Sequence, residues 1–157
     1  MKEKKSKFKD LKIKDIHFEM RVFSVRDADI DLNIHFTEKG TSRIILIAGM
    51  SYYYKAILKK ETRKLIESLN EIKLYNWKRS YKLDKDYVVL DGESWKLHII
   101  YENGVEQKCH GENAYPSSYE KLIDLIHYYI EKLDCPVEQS IKPSITFWIS
   151  KEFPNEK

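Results

Sequence analysis

The first third of the chain alternates apolar and polar residues with a period of two. This alternation covers residues 16–22 and 30–36 and predicts strands with one buried and one solvated face. A Gly-containing turn at 38–41 follows, and the more continuously apolar residues 44–48 predict a third strand. The apolar positions are Ile16, Phe18, Met20 and Val22 in the first strand, and Ile30, Leu32, Ile34 and Phe36 in the second.

The period then changes to that of a helix. Leu65, Ile66, Leu69 and Ile72 recur at helical spacing among charged residues and predict a helix over about 58–73. Residues 52–58 fit either an extension of the sheet or the start of this helix, so the boundary stays open. The polar stretch 78–86 reads as a loop.

A second helix is predicted after Pro116. Ser117 as N-cap and Glu120 three residues later form a capping box, and Pro136 ends the segment. The apolar positions between them keep helical spacing: Tyr119, Leu122, Ile123, Ile126, Tyr129, Ile130 and Leu133. The last apolar segment, 145–149, has no clear periodicity, and its structure stays undecided.

Between the two helices the pattern predicts three further strands, the last two joined by a hairpin at Glu102-Asn103-Gly104. The first of the three covers 87–90. A two-residue loop would put Trp95, Leu97 and Ile99 on the same face as Lys108 and His110. A three-residue loop with Gly104 left-handed, as in a G1 bulge, pairs Tyr101 with Val105 instead. The buried row then continues through Val105, Gln107 and Cys109, and we expect this bulged form.

The element order β-β-β-α-β-β-β-α predicts an α+β protein with an antiparallel sheet of about six strands packed with two helices. We expect a single domain over 15–136. Residues 1–14 are predicted to form a basic flexible tail, and 137–157 a C-terminal extension of uncertain structure.

Charge is concentrated in the predicted tail. The chain has 157 residues and a net charge of +3, but seven lysines within residues 1–14 give that segment a net charge of +5. The rest of the chain therefore sums to −2, which argues against specific binding of nucleic acid. No apolar run reaches the roughly 18 residues of a membrane span. The two cysteines fit reduced thiols in a cytoplasmic protein.

Three motifs suggest chemistry but lack the geometry for it. Residues 27–38 place acidic side chains as an EF-hand loop does, yet Leu32 occupies the position that requires glycine. Cys109 and His110 are adjacent in a strand, so they point to opposite faces and do not form a nucleophile–base pair. His98 and His110 share the outer face near Lys108, which is too few ligands for zinc.

We therefore expect no metal, no cofactor and no catalytic residue. No phosphate-binding glycine loop, nucleophile elbow or HExxH motif is present in the sequence.

Tyrosine is abundant, and Tyr52, Tyr53 and Tyr54 are consecutive. In a strand or a helix at least one of these rings faces outward, where it can anchor a protein partner. The same rings can instead cover an open sheet face, and the sequence leaves both interpretations open.

Residues 65–133 carry the motif D-G-x-x-W-x-L-x-I-x-Y-x-N-G followed by G-x-N-x-Y-P. In these residues the chain resembles a group of small uncharacterised bacterial proteins, some with lipoprotein leaders. The resemblance implies no established activity, and the missing leader favours a cytoplasmic location. The motif residues are also turn formers and core residues, so structure alone accounts for them.

The binding residues we expect are Asp91, Trp95, Asn113 and Tyr115 at one end of the hairpin, together with Tyr52, Tyr53 and Tyr54. The leading hypothesis is a non-enzymatic protein-interaction module, of which an immunity-like partner of a toxin is one form. The alternative is a small-ligand binder or enzyme at the Asp91/Trp95/Asn113/Tyr115 end, with a deep pocket and a shifted carboxyl pKa. A third hypothesis is attachment to anionic surfaces through residues 1–14.

Overall fold

The computed structural model describes residues 6–22, 29–83 and 92–132, and these residues form one sheet of seven strands with two helices. The strands are β1 (Ile13–Val22), β2 (Ile30–Phe36), β3 (Ser42–Ala48), β4 (Ser51–Ile57), β5 (Ser80–Lys82), β6 (Glu93–Tyr101) and β7 (Glu106–Glu112). The helices are α1 (Lys59–Ile72) and α2 (Tyr119–Lys132), and a 3₁₀ turn spans Leu74–Asn76.

The strands lie in the order β4-β3-β2-β1-β6-β7-β5. Every neighbouring pair is antiparallel except β5 and β7, which are parallel. The predicted α+β class with an antiparallel sheet and two helices is therefore confirmed.

Two strands differ from the sequence pattern. β4 occupies the residues whose type was open, and it pairs with β3 along its whole length. β5 lies in the stretch predicted as a loop, because a three-residue polar strand has no alternation to detect. Its Tyr81 ring packs 5.7 Å from the Trp95 ring, which holds the strand on the sheet. The predicted strand 87–90 lies outside the described residues.

The β6–β7 hairpin has the predicted bulged turn. Tyr101 N donates to Val105 O at 2.9 Å, and Gly104 has a φ of +85°. Leu97 therefore lies opposite Cys109, and Leu97 and Ile99 are 1% and 0% exposed. The prediction was wrong for Val105, which is 38% exposed because it lies in the turn at the tip of the hairpin.

The core fills the space between one face of the sheet and the two helices. Alternate residues of β1, β2, β3 and β6 point into it, as the period-two pattern predicts. The helices contribute Leu65, Leu69 and Ile72 from α1, and Tyr119, Leu122 and Ile126 from α2.

The helix boundaries match the periodicity, with one correction at the start of α2. α1 agrees with the predicted 58–73, and Lys73 ends it in a left-handed conformation with φ 57°. α2 begins at Tyr119, so Ser118 and not Ser117 precedes its first residue. The Ser118 hydroxyl accepts a hydrogen bond from Trp77 Nε1 at 2.9 Å, which ties this helix start to the segment after α1. The predicted end at Pro136 lies outside the described residues.

Part of the predicted basic tail belongs to the packed structure. Phe8 stacks on Tyr101 with ring centroids 5.5 Å apart, and Ser6 Oγ donates to Tyr75 O. β1 already begins at Ile13, before the predicted domain boundary at residue 15. The sequence gives little sign of this packing, because Phe8, Leu11 and Ile13 are the tail residues that pack on the core and they stand among seven lysines.

Gln107 is one of the buried polar residues, and it links two elements. Gln107 is 3% exposed, and its Nε2 donates to Leu74 O at 2.9 Å and more weakly to Trp77 O. The Tyr101 hydroxyl donates to Gln107 Oε1. Gln107 thus joins β7 to the 3₁₀ turn, and both the oxygen and the nitrogen of its own side-chain amide are hydrogen-bonded.

Candidate functional site

The structure brings three of the expected site residues to one end of the β6–β7 hairpin. Trp95 lies opposite Gly111 in the strand pairing, and Asn113 and Tyr115 follow directly after β7. Asp91 lies outside the described residues. Tyr52, Tyr53 and Tyr54 are in β4, at the far edge of the sheet, so the two groups do not form one site.

Trp95 packs on the core side of this end of the hairpin. It is 1% exposed, its Nε1 donates to Ala114 O at 2.9 Å, and its ring meets Trp77 edge-on at 5.4 Å. A Cβ on Gly111 would lie 2.5 Å from both Ala114 O and Trp95 Nε1. Glycine is therefore required for the indole and the following loop to pack this closely.

Asn113 fixes the backbone of Glu93, the first residue of β6. Its Oδ1 accepts from Glu93 N at 2.8 Å, and its N donates to Glu93 O at 3.0 Å. Asn113 is left-handed, with φ 54°, a conformation that asparagine tolerates better than most residues. A Cβ on Gly92 would lie 2.6 Å from the Asn113 side chain, so this close contact also depends on a glycine.

An open groove of about 880 Å³ lies between Glu93 and the first turns of α2. The Tyr115 hydroxyl donates a short hydrogen bond to Glu93 Oε1. The Tyr115 and Tyr119 rings are 4.6 Å apart, and both line the groove. We call this feature, lined by Glu93, Tyr115, Tyr119, Glu120 and Asp124, the acidic groove.

Tyr119 carries the least satisfied group of the acidic groove. The residue is 6% exposed, and its hydroxyl is buried without a hydrogen-bond partner in the part of the chain that the structure describes. Burial raises the pKa of Tyr119, and the Glu93 carboxylate and Tyr115 raise it further. The pKa of Tyr115 is also raised, by burial first and then by its hydrogen bond to Glu93. Both phenols therefore stay neutral at physiological pH.

The described lining of the groove has a negative charge. Glu93, Glu120 and Asp124 contribute three carboxylates, whereas the described lining contains no lysine or arginine. His127 is the one basic side chain among the described lining residues. Such a surface attracts cationic groups and raises their local concentration.

The β4 tyrosines divide between the two faces of the sheet. Tyr53 lies opposite the core residue Leu46, whereas Tyr54 lies opposite Ile45 and faces away from the helices with Tyr52. All three rings are half-buried. They therefore do not form a single exposed patch.

The other polar motifs have structural explanations. Burial raises the pKa of the Cys109 thiol to about 11, which keeps it protonated and unreactive. His98 and His110 do share the outer face, where His98 Nε2 lies 3.1 Å from Glu106 Oε1. Among the described residues, no group of histidine, cysteine, aspartate and glutamate side chains has a geometry that holds a metal ion.

The EF-hand-like stretch contains a strand, as its alternation predicts. Asp31 lies in β2, and its carboxylate contacts His17 Nε2 at 2.9 Å and Arg21 Nη2 at 3.1 Å across to β1. The hydrogen bond that the His17 ring donates to Asp31 raises the pKa of His17. For Asp31, burial acts to raise the pKa, but the hydrogen bonds from His17 and Arg21 outweigh it and the pKa is lowered.

No helix in the described part of the chain has both the length and the apolar character that crossing a membrane requires. Comparison of the chain with protein-family models, with curated proteins and with solved structures finds no match. The function therefore has to be argued from the acidic groove itself.

Proposed function

We propose that this protein is a non-enzymatic protein-interaction module that binds a positively charged partner surface in the acidic groove. The observation that carries the proposal is the buried Tyr119 hydroxyl, which lacks a hydrogen-bond partner among the described residues and belongs to a residue that lines the groove. Buried polar groups in native proteins are nearly always paired, so an unpaired one beside a groove points to a bound group.

The chemistry of the groove supports a protein partner. Tyr115 is 39% exposed, and exposed tyrosines are frequent anchors at the centre of protein interfaces. Three carboxylates around it favour a basic partner, since complementary charge steers association and excludes acidic competitors. An immunity-like role, in which the module covers a basic surface of a toxin, is one form of this proposal.

A comparison of two tyrosine variants tests the proposal. Wild-type protein is immobilised and used to capture proteins from a lysate of its source cells, alongside Tyr115→Ala and Tyr128→Ala. Tyr128 is a matched control because it is similarly exposed, at 46%, and lies outside the acidic groove. We expect a basic protein that wild type and Tyr128→Ala retain and Tyr115→Ala loses. Equal capture by all three forms would refute the proposal, and so would an acidic partner.

A small-molecule ligand is the second candidate. A volume of about 880 Å³ lies within the range of small-ligand sites. This alternative predicts that small organic cations raise the melting temperature in the absence of any protein partner. In the acidic groove, the pKa values of the Tyr115 and Tyr119 phenols are raised.

A further inference from the structure

We propose that the group recognised in the acidic groove is an arginine guanidinium, held by the Glu93 carboxylate and the Tyr119 hydroxyl against the Tyr115 ring. This inference rests on the proposed function, since it names the chemical group that the groove would take from a partner.

The carboxylate of Glu93 is positioned to receive a cation. Its backbone is fixed on both sides by Asn113, so the side chain starts from a rigid strand end. Oε1 accepts from the Tyr115 hydroxyl, whereas Oε2 has no hydrogen bond within the described part of the chain. Glu93 is half-buried at the groove, where a charge-assisted hydrogen bond is stronger than at an open surface.

The Tyr119 hydroxyl supplies a second acceptor, buried in the wall of the groove that Glu93 also lines. The Tyr119 ring lies 4.6 Å from the Tyr115 ring, whose hydroxyl is bonded to Glu93. Burial raises the pKa of Tyr119 and the negative charge of Glu93 raises it further. A cation with several N–H groups would pair this oxygen and the free oxygen of Glu93 at the same time. Arginine has five such donors in a planar fork, so one guanidinium can reach both acceptors.

The aromatic wall favours a planar cation over a compact one. The Tyr115 ring is 39% exposed and tilted by 44° against the Tyr119 ring below it. Guanidinium groups stack on tyrosine faces, whereas a lysine ammonium is a strongly hydrated point charge. Glu120 and Asp124 are exposed at the rim of the groove. They attract any cation and do not distinguish arginine from lysine.

Three peptides that differ in one side-chain chemistry test the inference. Full-length protein labelled with ¹⁵N is titrated with acetyl-Ala-Arg-Arg-Ala-amide, and with the same peptide containing lysine or neutral citrulline. We expect the arginine peptide to shift the amide signals of Glu93, Tyr115 and Tyr119. The lysine peptide should bind about threefold more weakly and the citrulline peptide about tenfold more weakly. Equal binding of all three, or no shift at these residues, would overturn the inference.

Two variants separate recognition from folding. Glu93→Gln should weaken the arginine peptide about tenfold, while Glu67→Gln, an equal charge change on α1, should leave it unaltered. Tyr119→Phe removes an unpaired buried hydroxyl, so it should keep or raise the melting temperature and yet weaken binding. If Tyr119→Phe melts normally and binds the arginine peptide as tightly as wild type does, the Tyr119 hydroxyl does not hold the guanidinium.

The two proposals can fail independently. Groove-dependent capture of a basic protein without binding of the arginine peptide would refute the guanidinium inference and leave the interaction module intact. Binding of the peptide without any groove-dependent protein partner would refute the module and leave the cation site.

Discussion

Two glycines of the hairpin are needed for different physical reasons, and their alanine variants should differ accordingly. A Cβ on Gly111 meets a backbone oxygen and the Trp95 indole at 2.5 Å, so Gly111→Ala should destabilise the protein by about 3 kcal/mol. Gly104 has open space around it but a φ of +85°, so Gly104→Ala should destabilise by only about 1–2 kcal/mol.

Urea unfolding and near-ultraviolet circular dichroism check this pair. Only Gly111→Ala should alter the native tryptophan spectrum, because only its clash displaces Trp95. A native-like spectrum for Gly111→Ala would show that the loop at Ala114 can move aside, against the expectation.

The His17–Asp31 pair should stabilise the protein in a defined pH window. The pKa of His17 is raised, so its contribution is complete below 6.5 and is lost as the pH rises through the folded value. The pKa of Asp31 is lowered, so its contribution is present above 3.8 and is lost as the pH falls through the folded value. His17→Asn should therefore be most destabilising between about pH 4 and 6.5.

The size of this effect is limited by solvent, since the His17 side chain is 43% exposed, and we expect less than about 1 kcal/mol. Thermal melts of wild type and His17→Asn at pH 5.5 and 8.5 measure it. His127→Asn, on α2 and outside this network, is the control. A larger effect of His17→Asn at pH 8.5 than at pH 5.5 would have the wrong sign.

At the same scale, two of the expected binding residues, Asn113 and Tyr115, line the acidic groove, whereas Glu93 and Tyr119 were not expected there. Asn113 and Tyr115 stand out because of turn chemistry and position. Glu93 had a detectable signal: it shares the odd-numbered face of β6 with Trp95, and a carboxylate on a buried face needs an explanation. Tyr119 had no such signal in the sequence, because at its position in the helix it looks like any other aromatic residue of the core.

Among the elements, β7 and the turn after α1 are joined by one buried amide, and that linkage should be measurable. Gln107→Leu removes the acceptor of the Tyr101 hydroxyl and one of the two donors to Leu74 O, which keeps its hydrogen bond from Trp77 N. The unpaired buried hydroxyl and the lost bond to Leu74 O should destabilise the protein by about 2 kcal/mol. Tyr101→Phe should cost about 1 kcal/mol in wild type and close to nothing in the Gln107→Leu background.

Urea unfolding of the four proteins in this double-mutant cycle gives the coupling energy. Strictly additive effects would mean that Tyr101 and Gln107 do not depend on each other. The hydroxyl of Tyr101 has a pKa raised to about 12, chiefly by burial, so the cycle can be run at neutral pH without ionisation.

Elements with strong periodicity were predictable, and elements held by tertiary contacts were not. β1, β2 and α1 carry the apolar patterns of their types. β4 was ambiguous because its consecutive tyrosines are half-buried on both faces, which erases the period of two. The packing of Phe8 on Tyr101 joins residues far apart in the chain, and no local pattern encodes it.

For the whole molecule, one aromatic cluster connects the sheet, α2 and the segment after α1. The Trp77, Trp95 and Tyr119 rings lie within 5.4–6.1 Å of one another. Because these rings belong to three separate segments, we expect them to lose their order together. Near-ultraviolet and far-ultraviolet circular dichroism should then give coincident urea transitions. An earlier near-ultraviolet transition would show that α2 detaches before the sheet unfolds.

The position of β1 at the centre of the sheet has a consequence for synthesis on the ribosome. One edge of β1 pairs with β2, its neighbour in the chain, whereas the other edge pairs with β6. Ile13, for example, pairs with Tyr101, which is synthesised much later. The nascent chain must therefore present a long, unsatisfied strand edge until Glu93–Tyr101 have emerged. Exposed edges of this kind recruit other chains, so translation speed and chaperone supply should govern the yield of this protein.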